Sequence, residues 1–117
     1  KLGHILQQGS LWDPHALATS QFDAVVCTDV LEHIPTDKVD DVLFNLRRWS
    51  RKITFMGIAL FDDCYGPMLL NEPLHLTVES PEWWRERIEQ AGFHVMNQQV
   101  THQGGKPQWL YIMATPV

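Results

Sequence analysis

An α/β fold with strands of mixed direction is what this sequence predicts, on three observations. Two short, continuous apolar runs, Phe22–Thr28 (FDAVVCT) and residues 53–61 (ITFMGIALF), have the composition of strands covered on both faces. Between them Val39, Val42, Leu43, Leu46 and Trp49 recur at helical spacing as one apolar stripe. Further on, a second helical segment leads into two strand-like runs, residues 93–100 and 109–114, joined through Gly104-Gly105-Lys106-Pro107 as a hairpin. Alternating strands and helices that finish in an antiparallel pair imply one mixed sheet.

Residues 4–6 read as a short strand that runs into a turn at Gln7-Gln8-Gly9-Ser10. After Phe22–Thr28, residues 29–34 make about one helical turn, stopped by Pro35. Thr36 is placed to cap the next helix, with Asp37 and Asp40 in its first turn, where the dipole favours negative charge. Arg47, Arg48, Arg51 and Lys52 collect at the other end, and the arginines read as a solvated face. Residues 62–79 have no clear period and contain Gly66, Pro67 and Pro73, so a long loop is expected. Ser80-Pro81-Glu82 opens the second helix with a cap, a proline at the first helical position and an acid at the second. Trp84, Ile88 and Ala91 mark its inner face and Gly92 ends it; of the adjacent Trp83 and Trp84, one packs in the core and the other is free to face a cleft.

The 117 residues suffice for one domain, residues 1–117, and not for two. A net charge of −5 supplies no basic field for nucleic acid. Cys27 and Cys64 have neither a disulfide framework nor a zinc spacing; Cys27 reads as a buried thiol, and a reducing cytoplasmic compartment fits both. No leader and no apolar run of membrane-spanning length is evident. The chain opens at Lys1 in what reads as the middle of a strand, as a fragment would.

Ligands of open α/β sheets bind beyond the carboxyl ends of the strands. Phe22–Thr28 runs straight into Asp29-Val30-Leu31-Glu32-His33-Ile34-Pro35. Two acids and a histidine directly after a buried strand are costly to place unless they hold a ligand or each other. At i, i+3 and i+4, Asp29, Glu32 and His33 share one face of a helical turn, where His33 and Glu32 also have ordinary structural readings as turn hydrogen bonds.

FDAVVCTDVLEHIP resembles the segment after the fourth strand of class I S-adenosylmethionine-dependent methyltransferases (type 11/12-like). LHLTVESPEWWRERIEQAGFHV is similar to that family's His, helix, Gly-Phe segment ahead of the final hairpin, and the likeness covers roughly residues 4–115. The resemblance implies the C-terminal half of a Rossmann-like methyltransferase sheet, with strands four, five, seven and six in spatial order. It implies that the N-terminal strands, the glycine-rich loop and the ribose-binding acid lie upstream of Lys1, so that this piece alone binds cofactor weakly or not at all. Ser10, Leu11 and Trp12 would border the adenine, with Ser10 where an acid is usual. Thr28, Asp29, Val30 and Leu31 would sit around the methionine part of the cofactor. Asp29, His33 and Glu32 would be the catalytic candidates, and Tyr65, Met68, His75 and Trp84 would shape the acceptor site.

The implied activity is methyl transfer from S-adenosylmethionine to an O or N atom, with a small molecule as the expected acceptor because the charge is acidic and the loop apolar. In some members, including ubiquinone-biosynthesis O-methyltransferases and small-RNA 2′-O-methyltransferases, the matching acid, Glu and His bind a divalent ion, and the small-RNA enzymes add a later histidine. His75 lies where such a ligand can come from. Many members with the same string use no metal, so none is the expectation, with Asp29, Glu32, His33 and His75 the set if there is one. Two other classes fit the residues: a non-catalytic methyltransferase-like interaction module, and a metal-dependent hydrolase on the same four side chains. Loss of the first strands would leave Phe22–Thr28 as an apolar edge, open to self-association or to residues 1–6. His4, His15, His94 and His102 show no constellation, and Ser10 has no nucleophile-elbow context.

Overall fold

The structure, a computed structural model, describes residues 9–17, 21–63 and 66–117. The expected strand at residues 4–6, Cys64 and Tyr65 lie outside them. Four strands form one sheet: β1 (Phe22–Thr28), β2 (Ser50–Ala59), β3 (Phe93–Gln103) and β4 (Lys106–Pro116), in the spatial order β1-β2-β4-β3. β1 and β2 are parallel; β4 runs antiparallel to both its neighbours. This is the order the resemblance implied. The hairpin turns on Gly104 and Gly105, both at positive φ (59° and 79°), which matches the twist of the flanking strands and which glycine adopts without a β-carbon clash. It is longer than the apolar pattern suggested, because His102 also pairs with Pro107 and Gln103 with Lys106, where no apolar alternation announces a strand.

Two helices, α1 (Val39–Trp49) and α2 (Pro81–Gln90), cover one face of the sheet. Val39, Val42, Leu43, Leu46 and Trp49 are all buried, against Met56 and Ile58 of β2 and Leu110 and Ile112 of β4. Ser80 caps α2 as its sequence requires, its hydroxyl accepting from the Trp83 N–H at 3.1 Å, and Gly92 comes after the helix at φ 103°. Ser80→Ala is expected to lower stability by about 1 kcal/mol, read as a shift of the urea midpoint at constant m.

Three expectations are corrected. Thr36 does not cap α1: it opens a 3-10 turn, Thr36–Lys38, and its hydroxyl pairs with the Thr77 hydroxyl at 2.8 Å. A partner distant in sequence wins over the local cap. Arg47 and Arg48 are not a solvated face. Arg47 donates to the Gly92 carbonyl, and Arg48 to the Ala16 carbonyl and to Asn45, so both tie loops to α1. Finally, β1 is not covered on both faces: Phe22 and Val26 are exposed, and its outer edge has no partner strand among the described residues. The sheet face opposite the helices carries Val26, Phe55, Tyr111 and Met113, all at least partly open to solvent. The apolar run is read correctly as a strand, but among the described residues only one face of the sheet is covered.

Candidate functional site

The chain leaves β1 at Asp29, which takes a left-handed conformation (φ 57°) uncommon for a non-glycine residue, while its N–H still donates to the Gly57 carbonyl at 2.9 Å. That twist ends the strand and starts the 3-10 turn Leu31–His33. The turn sends Leu31 into the core and aims Glu32 and His33 back toward the carboxyl ends of β1 and β2.

Glu32 is fully buried. Its Oε1 accepts from the Ala59 N–H at 3.2 Å, and its backbone carbonyl accepts from the N–H groups of Leu76 and Thr77. Its Oε2 has no hydrogen-bond partner and lies 3.5 Å from His33 Nε2, which is equally 3.5 Å from Asp29 Oδ1. Those separations exceed a good N–H···O bond, so a shared proton holds the three groups poorly.

Segment 74–77 is laid across this turn by the Leu76 and Thr77 N–H groups, and Thr77 Oγ1 also donates to the Ile34 carbonyl at 2.7 Å. The same strap brings in His75, whose ring meets that of His33 edge-on at 4.9 Å. Both imidazoles are anchored through Nδ1 to backbone carbonyls, His33 to Leu74 at 2.8 Å and His75 to Phe61 at 2.7 Å. A carbonyl only accepts, so Nδ1 donates in each, and the neutral ring keeps its lone pair on Nε2.

One ligand atom from each of Asp29, Glu32, His33 and His75 lies within 4.8 Å of the other three. Two carboxylates and two imidazoles with fixed tautomers, converging with one buried oxygen unsatisfied, fit a divalent cation bound to about 2.0–2.6 Å ligands. Burial, and next the neighbouring Asp29, pushes the Glu32 carboxyl up to about 6. Asp29 is held below its ordinary value, first by the adjoining Glu32 side chain, with His33 assisting against desolvation. Burial of Glu32 and its close approach to Asp29 thus set the two carboxyls apart.

The other residues proposed from sequence are scattered. Ser10, Leu11 and Trp12 form a turn held to α1 by Asn45, whose amide donates to the carbonyls of Leu11 and Asp13. Thr28 and Asp29 are exposed at the end of β1, and Val30 is half-buried. Leu31 and Trp84, expected beside the cofactor and the acceptor, are core residues with no exposed surface. Trp83 is the half-buried one of the tryptophan pair, with the Arg87 guanidinium over its ring. Met68 is exposed, in a π-helical turn at Gly66–Leu70. Cys27 is buried as expected, and burial, with Glu32 beyond it, pushes its thiol up to about 12, far from a reactive thiolate. Sequence reading missed Ala59, Phe61 and Thr77, which act through backbone groups or a loop hydroxyl and carry no pattern of their own.

Neither a protein-family model nor a curated protein matches the chain. Solved structures do. An S-adenosylmethionine-dependent methyltransferase from Clostridium acetobutylicum superposes over 95% of this chain and 64% of its own, with TM-score 0.70 and 7% identity. The chain has part of the S-adenosylmethionine-dependent methyltransferase fold. A putative methyltransferase of this kind from Listeria monocytogenes matches with TM-score 0.69 and 14% identity, over 95% of this chain and 68% of its own. Magnesium protoporphyrin IX methyltransferase from Synechocystis PCC 6803, with bound SAH, matches with TM-score 0.64 and 17% identity over 95% of this chain and 50% of its own. The chain therefore spans about half of that methyltransferase, and 40% of its SAM-bound form. Among the described residues no helix is long and apolar enough to cross a membrane.

Proposed function

We propose that this chain is the C-terminal half of a methyltransferase domain whose parent protein methylates an O or N atom of a small-molecule acceptor, with a divalent cation held by Asp29, Glu32, His33 and His75. One observation carries the reading: within a methyltransferase fold, four metal-ligand atoms converge at the carboxyl ends of β1 and β2, with Glu32 Oε2 buried and unpaired. The sequence alone favoured no metal; the second histidine and the two Nδ1 anchors favour one.

S-adenosylmethionine supplies the methyl group as a sulfonium, and the cation, when bound, lowers the pKa of an acceptor hydroxyl. The residues of this chain orient and neutralise. Thr28 and Asp29 form one wall of the cofactor site; partners for the ribose and the methionine carboxylate are not among the described residues. The acceptor's hydroxyl proton would pass to Asp29, or to His33 when no cation holds its Nε2.

Calorimetric titration of S-adenosylhomocysteine into this chain, and into a form extended upstream by about 80–100 residues, tests the assignment. Binding to the extended form alone, lost on Asp29→Ala, is the expected result. No binding to either leaves the interaction module as the better reading.

We further propose that the exposed β1 edge drives self-association of the chain as it stands. Val26→Lys, which places a charge on that strand, should move the sedimentation profile toward monomer. An unchanged profile locates any association elsewhere.

A further inference from the structure

The loop that leads into the four-residue cluster carries several exposed large apolar side chains. Met68, Leu69, Leu70, Leu74 and Leu76 are between 40 and 72% exposed. Side chains of this kind gathered in one loop mark a contact surface. The loop is closed and shaped. The Asp63 carboxylate accepts from the N–H groups of both Gly66 and Leu74, and the Glu72 N–H donates to the Gly66 carbonyl. A β-carbon at residue 66 would collide with Asp63 Oδ2 and the Glu72 carbonyl, so only glycine closes it.

The ridge is also bonded to the cluster itself. Leu74 supplies the carbonyl that holds His33, and Leu76 supplies an N–H to the Glu32 carbonyl. His75 lies between these two leucines in the chain, half-buried toward the cluster while they are exposed. An apolar body resting on Leu74 and Leu76 therefore brings its polar end to His75. From residue 53 to residue 84 there is no Lys or Arg, whereas Asp62, Asp63, Glu72, Glu79 and Glu82 fall in that stretch. Without a bound cation, an anionic head group finds no basic side chain in that stretch.

We infer that the acceptor is a neutral hydroxyl compound with an apolar body, such as an alkylated phenol, lying along this ridge with its hydroxyl at the cluster. The inference rests on the methyl-transfer reading and names its substrate class.

The chain's four methionines make the test site-resolved: Met56 is buried, Met68 is on the ridge, Met96 lies on β3 and Met113 on the open sheet face. With 13C-methyl-labelled methionine, titration of 4-methyl-, 4-butyl- and 4-octylphenol should move the Met68 signal and leave Met96 and Met113 in place. Affinity should rise about two- to fourfold per added CH2, the range between half and full burial of the group. Leu69→Asp, at an exposed position where the fold has nothing to lose, should weaken binding at least about tenfold over that series. The inference is overturned if Met113 or Met96 responds in place of Met68. Equal binding of 4-octylbenzoate and 4-octylphenol also overturns it. So does a Met68 signal that responds only to phosphatidylcholine vesicles, which would make the ridge a lipid contact. The imidazole signals of His33 and His75, followed with Mg²⁺ alone, report on the cation reading separately, so failure of one is distinguishable from failure of the other.

Discussion

Glu32→Gln should weaken Mn²⁺ binding by at least about 100-fold, the upper end of what loss of a ligating or supporting group costs, and leave the chain folded. Loss of the free-Mn²⁺ resonance on titration measures it. The amide keeps the volume of Glu32 and an oxygen for the Ala59 N–H, while removing the charge that an ion would need. The same substitution should stabilise the cation-free protein at neutral pH. The folded pKa of Glu32, about 6, lies above its ordinary 4.5. The folded state therefore binds this proton more tightly than the unfolded state. That contribution is fully present below pH 4.5 and is lost as pH rises through 6. It amounts to about 2 kcal/mol for a shift of this size. Asp29 is shifted downward from 3.8, so its opposite contribution is lost only at more acid pH and leaves that window to Glu32. Urea midpoints measured from pH 4.5 to 7 should fall for the native chain and stay flat for Glu32→Gln. A flat profile in both, with cation affinity unchanged, would remove Glu32 from the proposed centre.

Trp84→Ala should cost about 3–5 kcal/mol, a large share of the 5–15 kcal/mol that holds a domain together. Trp84 has no exposed surface, meets Trp83 edge-on at 5.0 Å and packs with Ile88 against the sheet. Its indole Nε1 has no hydrogen-bond partner, so Trp84→Phe removes an unpaired donor along with some volume and should cost far less. The pair separates a core role from the acceptor-site role that the sequence suggested. A core residue changes the thermal midpoint and leaves the Met68 response to alkylphenols intact in Trp84→Phe. Loss of that response at unchanged stability would return Trp84 to the acceptor site.

Much of the architecture was legible because its causes are local. Phe22–Thr28 was bounded correctly by its own composition, the cap at Ser80 by three consecutive residues, and the hairpin turn by two glycines at positive φ. Asp29, Glu32 and His33 were legible for the same reason, since three residues within one turn must meet whatever surrounds them. Arg48 and Thr36 were misread because their partners, Ala16 and Thr77, stand far away in the chain.

By itself, then, the sequence determined the order and type of the elements, the helix faces that seek the core, and the acid-acid-histidine turn after β1. These depend on periodicity, capping and spacing, which act over a few residues. Only the tertiary structure decided that His75 completes the cluster, that Glu32 is buried with one oxygen unpaired, and that Leu31 and Trp84 serve the core. It also decided that β1 leaves Phe22 and Val26 exposed. Each of these turns on burial and on which backbone groups are free to bond across long separations, and both exist only once the sheet and its strap are assembled.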